Sequence, residues 1–181
     1  MGVGKTAVCK IIKVKLHNIV FLDGDWCWDM HPFQVTDETK RMVMENNCFL
    51  LNNYIKCSAY ENIVFCWVMH EQTFIDDIIS RIDTANCKVH SISLICSEHA
   101  LQTRIKRDVD AGIRAEDVIR RSLERIPLYE KLNTYKVDVS EITPAQAADL
   151  IISNSYSHLS SSLTSHYIYP KRLSKTIYMA K

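Results

Sequence analysis

Apolar runs of strand length alternate with stretches of helical period along most of this chain, and that alternation restricts the fold more than any other feature. Ile19 to Leu22, Ile63 to Val68, Ser91 to Cys96 and Val137 to Val139 read as short strands. Their near-continuous apolar character fits strands buried on both faces, as in a parallel sheet. Between them, Thr6 to Leu16 reads as a helix, Thr36 caps a long helix to about Lys56, and Phe74, Ile75, Ile78, Ile79 and Ile82 share one helical face. Ser97 opens a further helix toward Gly112, and another is expected from about Ala115 to Lys131. Thr143 and Gln146 form a capping box, with Pro144 at the first helical position. Strands separated by helices call for right-handed crossovers, hence a doubly wound α/β domain with both sheet faces covered.

A chain of 181 residues that is 47% hydrophobic can bury a real core as one domain. A net charge of +1 creates no general field for nucleic acid or an anionic membrane. The apolar runs are too short to span a bilayer, and the N-terminus has no apolar signal-peptide core. Seven cysteines, an odd number with no C-x-x-C spacing, sit mostly in apolar segments. They read as reduced thiols in a cytoplasmic protein without a metal site of their own.

The chemistry begins at Gly2-Val3-Gly4-Lys5-Thr6, which runs into an amphipathic helix. A phosphate-binding loop needs G-x-x-x-x-G-K-[ST] at a helix start: the glycines free backbone amides for phosphate, the lysine reaches the outer phosphates, and the hydroxyl ligates magnesium. The leading glycine of that pattern would fall two positions before Met1, so the motif is half present. Asp23-Gly24-Asp25 closes the first visible strand, where ligands of open α/β sheets bind. Two carboxylates there can divide labour, one in the magnesium shell and one taking a proton from an attacking hydroxyl; a plain D-G turn is the alternative. Arg104, Arg107, Arg114, Arg120, Arg121 and Arg125 form the third group. Cations over a transferring phosphoryl group stabilise it, and Gly112 could hinge such a lid. Arg104 and Arg114 stand ahead of Arg107, Arg121 and Arg125, whereas Arg120 with Glu116 and Arg121 with Asp117 have ordinary i,i+4 spacing. Trp26, Trp28, Met30 and Phe33 could wall an acceptor pocket or pack as a hydrophobic cap. Trp67 and His70 would face the same crevice, and no acid there serves as a Walker B carboxylate.

Together, Gly2–Thr6, Leu22–Trp26, Phe65–His70, Ile95–Arg104 and Arg121–Tyr129 resemble the small bacterial P-loop kinases of the AAA type. That group is related to shikimate kinase, gluconate kinase, adenylylsulfate kinase and chloramphenicol phosphotransferase, and the likeness covers about Gly2 to Ile152. The resemblance implies a P-loop NTPase fold, a five-stranded parallel sheet with a helical lid. ATP with Mg2+ would be the donor and a small hydroxylated molecule the acceptor, with the chain a monomer. Carried over by residue, it makes Gly2, Val3, Gly4, Lys5, Thr6 and Ala7 the nucleotide-binding loop. Thr6 and Asp23 become magnesium ligands, Lys5, Asp25 and Arg114 catalytic residues, Arg104 the residue near adenine, and Ser140 part of the adenine site.

Three departures accompany the likeness. The first strand, central in this fold, has no counterpart before the loop. The position four after Arg104, often a second arginine, is Asp108. From Ser153 onward the chain is serine- and tyrosine-rich, so residues 1–152 are expected to form the kinase domain and 153–181 an appended, disordered tail. Thr176 to Met179 could substitute for the absent strand, against which stands its position far downstream of the loop that the strand should feed. The alternative to an active kinase is accordingly a truncated, non-catalytic nucleotide-binding remnant with a marginal fold.

Overall fold

The computed structural model describes residues 2–157 and 175–181. Helix α1 spans Lys5–Lys15, strand β1 Ile19–Asp23, α2 Asp37–Lys56, β2 Asn62–Cys66 and α3 Gln72–Arg81. Strand β3 covers Cys87–Ile95, α4 Glu98–Asp110, α5 Asp117–Leu123, α6 Ile126–Glu130, β4 Tyr135–Asp138, α7 Pro144–Ser157 and β5 Lys175–Ala180. A single 3-10 turn at Gly24–Trp28 follows β1. The helix starts obey local chemistry. Thr36 accepts from the Thr39 N–H, Ser97 from the Ala100 N–H, and Thr143 and Gln146 bond reciprocally at 2.9 and 3.3 Å.

Among the described residues the five strands are all parallel, in the order β1-β2-β5-β3-β4. The central strand is therefore the last in sequence. Along β5, Thr176 to Ala180 pair with Asn62 to Cys66 on one side, while Lys175 to Ala180 pair with Cys87 to Ile92 on the other. At and just past its end, Ala180 O accepts from Trp67 N at 3.2 Å, Lys181 N donates to Ile92 O at 2.9 Å, and Lys181 O accepts from Leu94 N at 3.1 Å. No described strand precedes the glycine loop, as expected, but the central position is not vacant: it is filled from the far end of the chain. The expected boundary at residue 152 is corrected by the same strand. Helix α7 continues through Ser157 and residues 175–180 are core strand, while 158–174 lie outside the described residues.

Alternate residues of β5 serve the two faces of the sheet. Ile177 and Met179 join Leu22, Phe65, Leu51 and Ile78 beneath α2 and α3. Tyr178 and Ala180 join Val8, Ile12, Ala147 and Ile151 beneath α1 and α7. Tyr178 stacks on His90 with ring centroids 5.7 Å apart, and its hydroxyl lies 3.1 Å from Ser155 Oγ. With no ladder left vacant, the ground for expecting a marginal sheet is removed.

The long helix expected over 115–131 is two helices, because Pro127 has no N–H to carry the α-ladder across residues 124–126. Strand β3 starts at Cys87, earlier than its apolar core suggests, because its polar first half pairs with β5. Among the described residues no helix is long and apolar enough to cross a membrane.

Candidate active site

The carboxyl ends of β1 and β2 and the start of α1 converge on one cavity of about 360 Å³. Gly2 and Gly4 turn the chain into α1 with φ of 80° and 102°, values that side chains resist. The turn leaves the first amides of an 11-residue helix without intrahelical partners, and Gly2, Gly4, Lys5, Thr6 and Ala7 line the cavity. Enclosure by protein pushes the Lys5 ammonium below its ordinary value, while the nearby carboxyl groups of Asp25 and Asp23 oppose the shift.

Across from the loop, Thr6 Oγ1 donates to Asp23 Oδ2 at 3.0 Å. Asp23, 7% exposed, accepts the Asp25 N–H on its other oxygen at 3.2 Å. This N-cap bond winds Gly24–Trp28 into its 3-10 turn and leaves the Asp25 side chain on the cavity wall. The enclosing protein first, and Asp23 second, raise the Asp25 carboxyl above its ordinary range; Lys5 and the Trp67 indole N–H pull the other way. Gly24 is required here because a Cβ would lie 2.5 Å from Trp67 Cγ. Its carbonyl accepts from the fully buried amide of Asn47 on α2 at 3.3 Å.

The third wall is α4 and the turn after it, which place Arg104, Arg107, Asp108 and Arg114 on the cavity. Arg104 is committed to backbone, donating to the carbonyls of Val139, Ser140 (3.3 Å) and Val3 (3.5 Å). It thereby ties α4 to the loop and to the end of β4. Arg114 Nε donates to Asp108 Oδ2 at 2.7 Å, a pair that spans the Gly112 turn. Arg121 pairs with Asp117 at 2.9 Å as its spacing suggests, whereas Arg120 pairs with Glu124 at 2.9 Å rather than Glu116.

The structure thus brings together Gly2, Gly4, Lys5, Thr6, Ala7, Asp23, Asp25, Arg104 and Arg114. Two expected residues stand apart. Val3 faces a smaller cavity of about 30 Å³ shared with Lys5, and Ser140 lines neither cavity. The Ser140 hydroxyl instead donates to Asp138 at 2.6 Å and accepts from Ser97 N at 2.8 Å. Trp28 and Met30 pack on the core, and Trp26 and Phe33 are exposed. None of the four lines the main cavity, and only Trp28 and Met30 pack as the hydrophobic-cap alternative would have them. His70 also lies outside it; burial first, then Arg125, lowers its imidazole.

Trp67 does reach the cavity as expected of a residue after β2, and it brings Cys66 and Val68 with it. Cys66 gave no sequence signal beyond an apolar run. Its thiol is pushed far up, first by a hydrogen bond with Cys9 and then by burial, so it is a buried apolar wall element. Asn47 was hidden for the opposite reason, as a polar residue at a core position of α2 whose partner is remote in sequence.

The Thr6–Asp23 oxygen pair suits a hard cation held with nucleotide phosphates. Magnesium takes one or two protein oxygens and completes its octahedron with phosphate and water. A parallel sheet with a glycine loop at the carboxyl end of its central region, opening into a lysine- and carboxylate-lined cavity, defines a P-loop NTPase fold. A family model for an AAA domain matches residues 1–124, and the chain belongs to that AAA-domain family. No curated protein matches the chain.

Proposed function

We propose that this protein transfers the γ-phosphoryl group of ATP to a hydroxyl of a small molecule, as the small-molecule P-loop kinases do. One observation supports the reading above the rest: the Gly2–Thr6 loop and the Asp23–Asp25 pair face each other across one cavity that also holds the lid arginines. The loop amides and Lys5 bind and orient the triphosphate, while Thr6 and Asp23 hold magnesium, which neutralises charge on the phosphates when bound. Asp25 takes the proton from the attacking hydroxyl; its raised carboxyl suits a base of moderate strength. Arg114 stabilises charge on the transferring group. Arg104 locks α4 against the loop and against the segment after β4, a structural role beside the adenine site rather than a direct ligand's.

The remnant alternative rested on an empty central strand position, which β5 occupies. Its remaining test is direct. Mg-ATP binding is measured by calorimetry on the parent and on Lys5→Ala, which removes the charge that meets the outer phosphates. The parent is expected to bind and the variant to lose most of that affinity. Equal affinities would refute the phosphate-loop assignment, and binding without turnover on any hydroxylated acceptor would favour the remnant.

A further inference from the structure

We propose that Asp108 is a positioning residue for the phosphoryl site, fixing Arg114 through its Nε so that both terminal amino groups of the guanidinium are left to receive phosphoryl oxygens. This rests on the phosphoryl-transfer reading of the cavity and adds a residue to it.

Both side chains line the main cavity, each about one-third exposed, and they meet at 2.7 Å through Nε alone. Among the described residues neither Nη of Arg114 has a partner. A guanidinium held at Nε keeps four N–H donors in a rigid plane, the fork that matches two oxygens of a phosphoryl group. Asp108 also shapes the backbone that carries Arg114. Its carbonyl accepts from Ile113 N at 2.8 Å, while Gly112 N donates to Val109 O at 2.8 Å and Gly112 turns with φ of 70°. The end of α4, the turn and the arginine are therefore organised by one residue acting through both main chain and side chain.

The other cavity arginines cannot take this part in the same way. Arg104 is spent on three carbonyls. Arg107 has no hydrogen-bond or ion-pair partner among the described residues to fix its plane. An opposite role for Asp108, as a latch that competes with phosphate for Arg114, predicts the opposite sign of effect and is separated from positioning by experiment.

Mg-ATP and Mg-ADP affinities are measured by calorimetry on the parent and on Asp108→Ala, Asp108→Glu, Arg114→Ala and the Asp108→Ala/Arg114→Ala double variant, with melting temperatures checked for each. Asp108→Ala and Arg114→Ala should each weaken ATP binding about tenfold, in line with loss of a charge-assisted hydrogen bond, while ADP affinity stays within about twofold. Asp108→Glu should restore most of the loss, and Asp108→Ala should add nothing once Arg114 is gone. Tighter ATP binding by Asp108→Ala would establish a latch and overturn the proposal. Equal losses for ATP and ADP, or a full Asp108→Ala effect in the Arg114→Ala background, would overturn it as a general structural effect. If the parent binds ATP and Lys5→Ala abolishes that binding, an indifferent Asp108→Ala refutes this inference alone. A parent that binds neither nucleotide refutes both this and the kinase reading.

Discussion

Replacing Ile177 with alanine tests whether the last strand carries the sheet. Ile177 is fully buried in β5, paired with Ile63 on one side and Val89 on the other, and it packs in the core beneath α2 and α3. Removing a buried isoleucine to alanine costs about 2–5 kcal/mol, from lost transfer energy plus the cavity left behind. The upper half of that range applies where the surroundings cannot collapse, and a central strand held by two ladders is such a place. For a domain of this size, each kcal/mol moves the melting temperature by about 2–4 °C, so a fall of about 7–20 °C is expected. Val14→Ala in α1, where the side chain is 84% exposed, is the matched control; it should shift stability by no more than about 0.5 kcal/mol. Thermal denaturation followed by circular dichroism reads both. If Ile177→Ala melts with the parent and the control, β5 is not a sheet strand and the account of the central position fails.

Two further outcomes concern Asp25 and its turn. Asp25→Asn should lower phosphoryl transfer by about 10²-fold or more with ATP affinity retained, and the parent's acidic limb of activity should lie above the ordinary carboxylate range and vanish in the variant. The sign for stability is opposite. A carboxyl raised in the fold stabilises when protonated, below its ordinary value of 3.8, and loses that contribution as pH rises through the raised value. Asp25→Asn should therefore melt above the parent at neutral pH, with the gap closing as pH falls toward 3.8; an equal gap at both pH values would show that burial does not perturb Asp25. Gly24→Ala places a Cβ 2.5 Å from the Trp67 ring; a cost of about 1–3 kcal/mol in denaturant unfolding is expected, and an unchanged midpoint would show that the ring moves freely.

Much of the site was legible in the chain because its signals are local. A glycine loop entering a helix, a D-G-D turn after an apolar run, and hydroxyl caps three residues from their partners each depend on neighbours within one turn, so Lys5, Thr6, Asp23 and Asp25, which share one cavity, could be singled out before any packing was known. The pairing of Arg114 with Asp108 was not legible. Six residues separate them, a spacing no regular helix brings together, and the turn at Gly112 creates the contact. Arg104 likewise declared a charge, but tertiary packing directed it to the carbonyls of Val3, Val139 and Ser140.

The central strand shows the division most clearly. Thr176 to Ala180 carry a strand's apolar character in the sequence itself, yet nothing local says which neighbours they pair with. Reasoning by chain order demanded that the strand beside the glycine loop come just before it. Adjacency in a sheet is decided by hydrogen-bonding ladders and by burial of both faces, and those need proximity rather than covalent succession. Composition and periodicity determined that this chain would form a covered parallel sheet with a phosphate loop. Which segment completes the middle of that sheet was decided only when Ile177 and Met179 found one core and Tyr178 and Ala180 the other.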